Sequence, residues 1–250
     1  MRFFHRAQHE DISSRAQMRM LDNTFVRLVF SFTAVPFVGI PFAIWLYLLG
    51  ENLETTIAWI CLYLICAVVV RIWHHRYQRE AKENDADTVL RRGLPHINKV
   101  AFAHGMGISS LYLLIPQTNS FDFFLLLNIS IAAIVAANAT HLTPVISTFT
   151  RFFFGSWGVL NLGIIWRLDD VMSIVLMLNL LYGFAIYRHA LTSHAFFIQQ
   201  ARLEEQSSRL AEQFRQAKEE AELALNDKNQ FLTIASHDLR QPVHAMGFLT

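Results

Sequence analysis

The stretch LVFSFTAVPFVGIPFAIWLYLL, residues 28–49, runs for 22 residues without a charged side chain. A helix needs about 20 mostly apolar residues to cross the hydrocarbon core of a bilayer, so this segment is long enough for one span. A strand interpretation fails, because open sheet edges cannot be satisfied in lipid and no alternation of apolar and polar residues is visible. The stretch therefore predicts a membrane protein of the all-α class.

Five further stretches along the chain have the same character. They lie at approximately 55–73, 97–115, 121–140, 145–166 and 171–187. Arg151 falls within the first turns of the fifth span, a position that also suits the membrane surface. The composition agrees, since 53% of the residues are hydrophobic and 16% are charged, and a formal net charge of +1 gives no basic excess that would indicate nucleic acid. We therefore expect a bundle of six transmembrane helices.

The basic residues predict the orientation of this bundle, because Lys and Arg are enriched in cytoplasmic loops. They are concentrated before the first span and between the second and third, at Arg2, Arg6, Arg15, Arg19, Arg76, Arg79, Lys82, Arg91 and Arg92. The alternate loops, near 51–54, 116–120 and 167–170, hold one basic residue among them. The N-terminus lacks a signal-peptide pattern, so the first span is expected to remain as an anchor. These features predict a multi-pass inner-membrane protein with both termini in the cytoplasm.

After Arg188 the composition changes to a long segment rich in Glu, Gln, Ala and Arg, without Gly or Pro as far as residue 230. Its candidate seam alternates steps of four and three residues, the a/d pattern of a coiled coil. The seam positions are Leu203, Ser207, Leu210, Phe214, Ala217, Ala221, Ala224, Lys228, Phe231 and Ala235. Ser207 and Lys228 weaken the seam and are places where its register could change. The alternative is a solvated helix without a partner, which would be only marginally stable.

The chain then reaches FLTIASHDLRQPV, residues 231–243. This motif resembles the H-box of bacterial sensor histidine kinases, which has the form Phe, several residues, Ser-His-Glu/Asp-Leu-Arg, one residue, Pro and an apolar residue. The resemblance covers about twenty residues directly, with the coiled coil and the spans as context. It implies that residues 229–250 begin a dimerisation and histidine-phosphotransfer domain, after an N-terminal segment 1–24, a sensor domain 25–187 and a signalling helix 188–228.

The residues of the motif also make chemical sense by themselves. His237 lies about 200° around the helix from Ala235 and from Leu239, so it is predicted to face solvent. An exposed imidazole is a nucleophile when one ring nitrogen is deprotonated, and Asp238 can orient the ring or accept its proton. Pro242 is expected to kink the helix one turn after the histidine.

The resemblance implies a role for the flanking residues and for partners. Arg240 occupies the basic position of the motif and could pair with phosphate, although a surface arginine is the simpler interpretation. Gln241 stands where family members that also act as phosphatases carry Thr or Asn, so phosphatase activity is in doubt. In a complete protein of this family, ATP and Mg²⁺ supply the phosphoryl group to His237 of a homodimer, and an aspartate of a response regulator receives it. An ATP-binding domain is expected outside these 250 residues, so this segment alone should be inactive and carries no cofactor.

The short outward loops leave no room for a folded ligand-binding domain. The stimulus is therefore expected to be membrane-borne, and the architecture resembles that of kinases that detect lipophilic quorum signals. Polar residues within spans are costly in lipid and are candidates for a ligand site. The predicted site consists of His104, Asn138 and His141. The other polar residues within the spans include Asn128, Asn161 and Asn179. The alternative is that they are interhelical hydrogen bonds worth about 0.6 kcal/mol each.

Two other features bear on the sensor. Ala101 and Gly105, and likewise Ala103 and Gly107, are small residues four apart, which favours close helix packing. Within the predicted spans no His pair has the four-residue spacing of a metal site on one helix, so no metal ligands are predicted. Two rival functions stay open at this point: a membrane receptor or transporter-like binding module whose cytoplasmic helix is only a scaffold, and an intramembrane metal or haem protein.

Overall fold

The computed structural model describes residues 12–115, 120–167 and 170–247, with side chains as far as residue 232. Within these ranges the chain forms six helices and no strand. The helices are α1 Ser14–Leu48, α2 Glu54–Glu83, α3 Ala86–Leu114, α4 Phe121–His141, α5 Ile146–Trp166 and α6 Asp170–Gly247. Each of them overlaps one of the six predicted apolar stretches. The all-α class is confirmed.

The ends of the helices follow from local sequence. Helix α1 ends at Leu48 and is followed by Gly50, whose φ of 72° lies in the left-handed region that favours glycine. The amide of Glu51 then donates to the carbonyl of Leu46 at 3.0 Å, which is the bond that closes a Schellman motif. Two residues, Asn84 and Asp85, separate α2 from α3, and the carboxylate of Asp85 accepts from the amide of Thr88 at 3.1 Å. Short links of this kind hold consecutive helices antiparallel and adjacent.

The chain divides into two compact units, residues 1–201 and 202–250. In the first unit the most extensive helix pair is α3 with α5, followed by α1 with α2. Of the small residues predicted to allow close packing, Gly105 lies directly against α5, whereas Ala103 is exposed. A Cβ on Gly105 would collide with the backbone carbonyl of Phe152 and lie 2.8 Å from the amide nitrogen of Ser156. The hydroxyls of Ser109 and Ser156 are 2.8 Å apart beside this contact.

The number of membrane spans is only partly supported. Among the residues that the structure describes, four helices are long and apolar enough to cross a membrane, namely α1, α2, α4 and α6. Helices α3 and α5 do not reach that apolarity, although both lie where a span was predicted. These two helices pack on each other more extensively than any other pair of the described helices, and a helix covered by protein can carry more polar side chains than one that faces lipid. Six spans therefore stay a prediction.

The second unit, from Arg202 onward, consists of the later part of α6. The described side chains of the predicted seam, from Leu203 to Phe231, are exposed in this single chain, among them Leu210 and Phe214 at 65% and 75% of their full area. On another face Arg215 makes two hydrogen bonds to Glu212, at 2.7 and 3.0 Å, and one to Glu219 at 2.6 Å. The hydrogen bonds from Arg215 hold the pKa of the Glu212 carboxyl below its usual value. Pairs at three- and four-residue spacing support an isolated helix modestly.

Candidate functional site

Three polar side chains meet inside the first unit, where α1, α3 and α4 pack together. Ser31, His104 and Asn138 are all buried. The Oγ of Ser31 lies 2.9 Å from Nε2 of His104, and Nδ2 of Asn138 donates to the same Oγ at 3.3 Å. The hydroxyl thus bridges the imidazole and the amide. The geometry brings His104 and Asn138 together, as their positions in the spans predicted, and adds Ser31, which the sequence did not mark as a site residue.

The surroundings of His104 are aromatic. Its ring stacks on Phe32, with ring centroids 3.9 Å apart and planes 27° apart, and Phe152 packs at 5.5 Å. The hydroxyl of Tyr63 donates to the backbone carbonyl of His104 at 3.0 Å. In the part of the chain that the structure describes, Nδ1 of His104 and Oδ1 of Asn138 have no hydrogen-bond partner. Each of these two atoms has unused capacity to bind a polar group.

His141 does not join this cluster. It is the last residue of α4 and its side chain is exposed. Its backbone carbonyl accepts a hydrogen bond from Nη1 of Arg27 at 3.4 Å, beside a second bond to Thr140 at 3.3 Å. The predicted trio is therefore two residues of a buried site and one surface residue, because the helix ends before the imidazole can turn inward.

A second polar contact joins α4 to α6. Asn128 and Asn179 are buried, and their side-chain amides exchange two hydrogen bonds, of 3.2 and 3.0 Å. Further along, Nδ1 of His194 donates to the carbonyl of Thr143 at 2.8 Å, and the hydroxyls of Thr143 and Ser193 are 3.0 Å apart. Within the first unit, α6 is thus tied by polar bonds to α4 and to the loop that follows it.

The reciprocal amide pair gives a testable energetic coupling. Asn128→Ala leaves the side-chain amide of Asn179 without its partner. A double-mutant cycle of Asn128→Ala with Asn179→Ala should therefore give a coupling energy of about 0.6 kcal/mol, with about 1.7 kcal/mol as the upper range. The free energy of unfolding in mixed detergent micelles measures it. Asn161 is the matched control, because its amide donates at 2.7 Å to Trp157 in its own helix. Asn161→Ala combined with Asn179→Ala should be additive, and equal coupling in both cycles would contradict the assignment.

The H-box residues lie on α6, whose backbone is helical as far as Gly247. The helix continues through Pro242, where a kink was predicted. The side chains of His237, Asp238, Arg240 and Gln241 lie outside the described residues, so their predicted orientations stay predictions. In the described ranges, no three His, Cys, Asp or Glu side chains come close enough to hold a metal ion.

The comparisons with known proteins do not assign a family. No protein-family model matches the chain, and no curated protein and no solved structure is similar to it at a significant level.

Proposed function

We propose that the chain is the membrane-sensor and signalling part of a sensor histidine kinase, with His237 as the phosphoacceptor. The observation that carries the proposal is that FLTIASHDLRQPV lies on α6, the same helix that begins with the apolar stretch 171–187. An H-box motif reached by one helix from an apolar bundle is the arrangement that such a receptor needs.

The proposed reaction is phosphoryl transfer. A deprotonated ring nitrogen of His237 attacks the γ-phosphorus of ATP, a P–N bond forms, and the bond to the bridging oxygen breaks to release ADP. Asp238 orients the ring or takes up its proton. A response-regulator aspartate then attacks the phosphorus and regenerates His237. In this proposal ATP and Mg²⁺ are held by a separate catalytic domain, as the resemblance to sensor histidine kinases implies.

A homodimer supplies the geometry for this reaction. The exposed apolar seam of α6, with Leu203, Leu210 and Phe214, has the a/d spacing that a second copy of the helix would cover. Ser207 and Lys228 interrupt it, and in this proposal they are the places where the register of the coiled coil changes. A shift of register would change the access of His237 to the catalytic domain.

The membrane unit offers a route for the signal. Asn138 sits in the buried polar cluster, and ten residues earlier on the same helix Asn128 bonds to Asn179 of α6. A membrane-borne, lipophilic ligand whose polar group bonded to Nδ1 of His104 or Oδ1 of Asn138 would alter the packing of α4. Because α4 is bonded to α6, that change would reach the signalling helix. In this proposal all six helices cross the inner membrane and both termini are cytoplasmic.

The test is phosphoryl transfer in trans. The full chain in membranes is mixed with the ATP-binding domain of a histidine kinase and with ATP labelled on the γ-phosphate. We expect label on the chain that is lost in acid and stable in base, as a phosphohistidine is. Failure to label with several such domains, together with substrate flux into liposomes that contain the chain, would support a transporter-like module instead.

A further inference from the structure

The hairpin formed by α2 and α3 encloses a cavity of about 420 Å³ next to the link between the helices. Its lining comes from one face of each helix, because the residues from α2 are spaced three and four apart and those from α3 four apart. The charged and aromatic side chains among them are Trp73, Arg76, Tyr77, Glu80, Arg92 and His96. We call this cavity the hairpin pocket.

Two arginines give the hairpin pocket its chemistry. Arg76 and Arg92 are exposed, and neither guanidinium forms an ion pair or a side-chain hydrogen bond with any residue in the described ranges. Glu80 is the single carboxylate in the wall. Over residues 71–99 the hairpin holds seven basic and four acidic residues, a net charge of +3. Unpaired guanidiniums in a formed concavity favour an anion, and their planar fork matches phosphate oxygens.

Two other side chains that line the pocket, those of His96 and Tyr77, combine polar atoms with aromatic surface. Nδ1 of His96 donates to the carbonyl of Arg92 at 2.7 Å, which fixes the imidazole against its own helix. Tyr77 is buried, and its hydroxyl has no hydrogen-bond partner among the described residues. At Gly93 the helices approach closely, since a Cβ there would lie 3.1 Å from Cε2 of Tyr77. The close approach at Gly93 therefore positions the wall of the pocket, and the Tyr77 hydroxyl remains available for a hydrogen bond to a ligand.

The surface beside the hairpin pocket distinguishes a lipid from a soluble anion. One turn further from the link, α2 exposes Val68, Val69 and Ile72, each by half of its area or more. Phe102 of α3 is 43% exposed at a similar distance from the link. Trp73, half-buried at the edge of this apolar surface, packs near His96 with ring centroids 6.1 Å apart. Aromatic and basic residues above an apolar band mark the level of lipid headgroups.

We propose that the hairpin pocket binds the phosphate of an anionic phospholipid through Arg76 and Arg92, with the acyl chains on the apolar surface of α2. The site is distinct from the Ser31–His104–Asn138 cluster and from the H-box. It does not depend on phosphoryl transfer, so its failure would leave the proposed function standing. The bound lipid would brace α2 against α3 at the end of the hairpin where the chain turns.

The test uses the full chain purified in detergent, where no charged bilayer surface can attract arginines in general. Phosphatidylglycerol is titrated and the retained lipid is counted by native mass spectrometry. Arg76→Gln with Arg92→Gln should weaken retention about tenfold, as expected for the loss of charge-assisted hydrogen bonds. The matched control is Arg79→Gln with Arg91→Gln, two exposed arginines of the same helices that do not line the pocket. Its retention should stay within about twofold of the wild type.

One further variant and one further lipid extend the retention measurement. Glu80→Gln removes the carboxylate of the wall and should strengthen retention, an opposite sign that misfolding cannot mimic. Phosphatidylcholine, whose choline offsets the phosphate charge, should bind more weakly than phosphatidylglycerol. Equal losses in both arginine pairs, or equal binding of the two lipids, would overturn the proposal. Displacement of the lipid by inorganic phosphate alone would overturn the lipid assignment and leave a soluble-anion site.

Discussion

His237→Gln is expected to abolish labelling of the chain by ATP when a catalytic domain is supplied. Glutamine keeps a polar side chain of similar length and a comparable helix propensity, so α6 should persist. Its amide nitrogen, however, has its lone pair delocalised into the carbonyl and cannot attack phosphorus. The loss should therefore be complete, down to the background seen without the catalytic domain. Labelled protein resolved on gels after membrane solubilisation gives the measurement.

The sequence itself offers a control for this variant. His244 follows His237 by seven residues, about two turns of helix. His244→Gln makes the same chemical change on the same helix but leaves the motif intact, so labelling should remain at the wild-type level. Loss of label in both variants would indicate a general defect of the helix. Undiminished labelling of His237→Gln would refute the assignment of the phosphoacceptor.

Apolar runs were sufficient to predict that six helices form and approximately where. They could not predict that Ser14–Leu48 and Glu54–Glu83 extend well beyond their apolar parts, because an apolar run marks only the part of a helix that could lie in the membrane. They also grouped α3 and α5 with the other four, although the lower apolarity of these two helices is itself a property of their sequences. Which helices pack against each other depends on contacts across the bundle, and the sequence of one helix does not contain this information.

The residues of the buried polar cluster could also be predicted only in part from the sequence. His104 and Asn138 could be singled out, because an imidazole or an amide in an apolar span is costly and needs a partner. Ser31 gave little signal, since a serine hydroxyl can bond to a carbonyl of its own helix. His141 lies three residues after Asn138, close enough for the pattern to group them, but the helix ends there. The rotation of each helix about its axis is set by packing across the bundle.

The packing of α3 on α5 makes Gly105→Ala the most destabilising small substitution that we expect in the membrane unit. The new methyl group would meet the carbonyl of Phe152 and the amide of Ser156, which are backbone atoms of the facing helix. Backbone cannot rotate away as a flexible side chain can, so the helices must separate. Separation would also weaken the contact between the hydroxyls of Ser109 and Ser156.

Overpacking of a core costs about 1–3 kcal/mol, and a contact with backbone belongs at the upper end of that range. For a unit of this size, about 3 kcal/mol lowers Tm by about 6 °C or more, which thermal unfolding in detergent can measure. Gly158 provides the matched control, because it lies on α5, is exposed, and has no atom within 4 Å of an added Cβ. Gly158→Ala should leave Tm unchanged or raise it slightly, since alanine favours a helix over glycine by about 1 kcal/mol. If Gly105→Ala were as stable as Gly158→Ala, α3 and α5 could not be in contact at these residues, and the arrangement that buries His104 against Phe152 would be wrong as well.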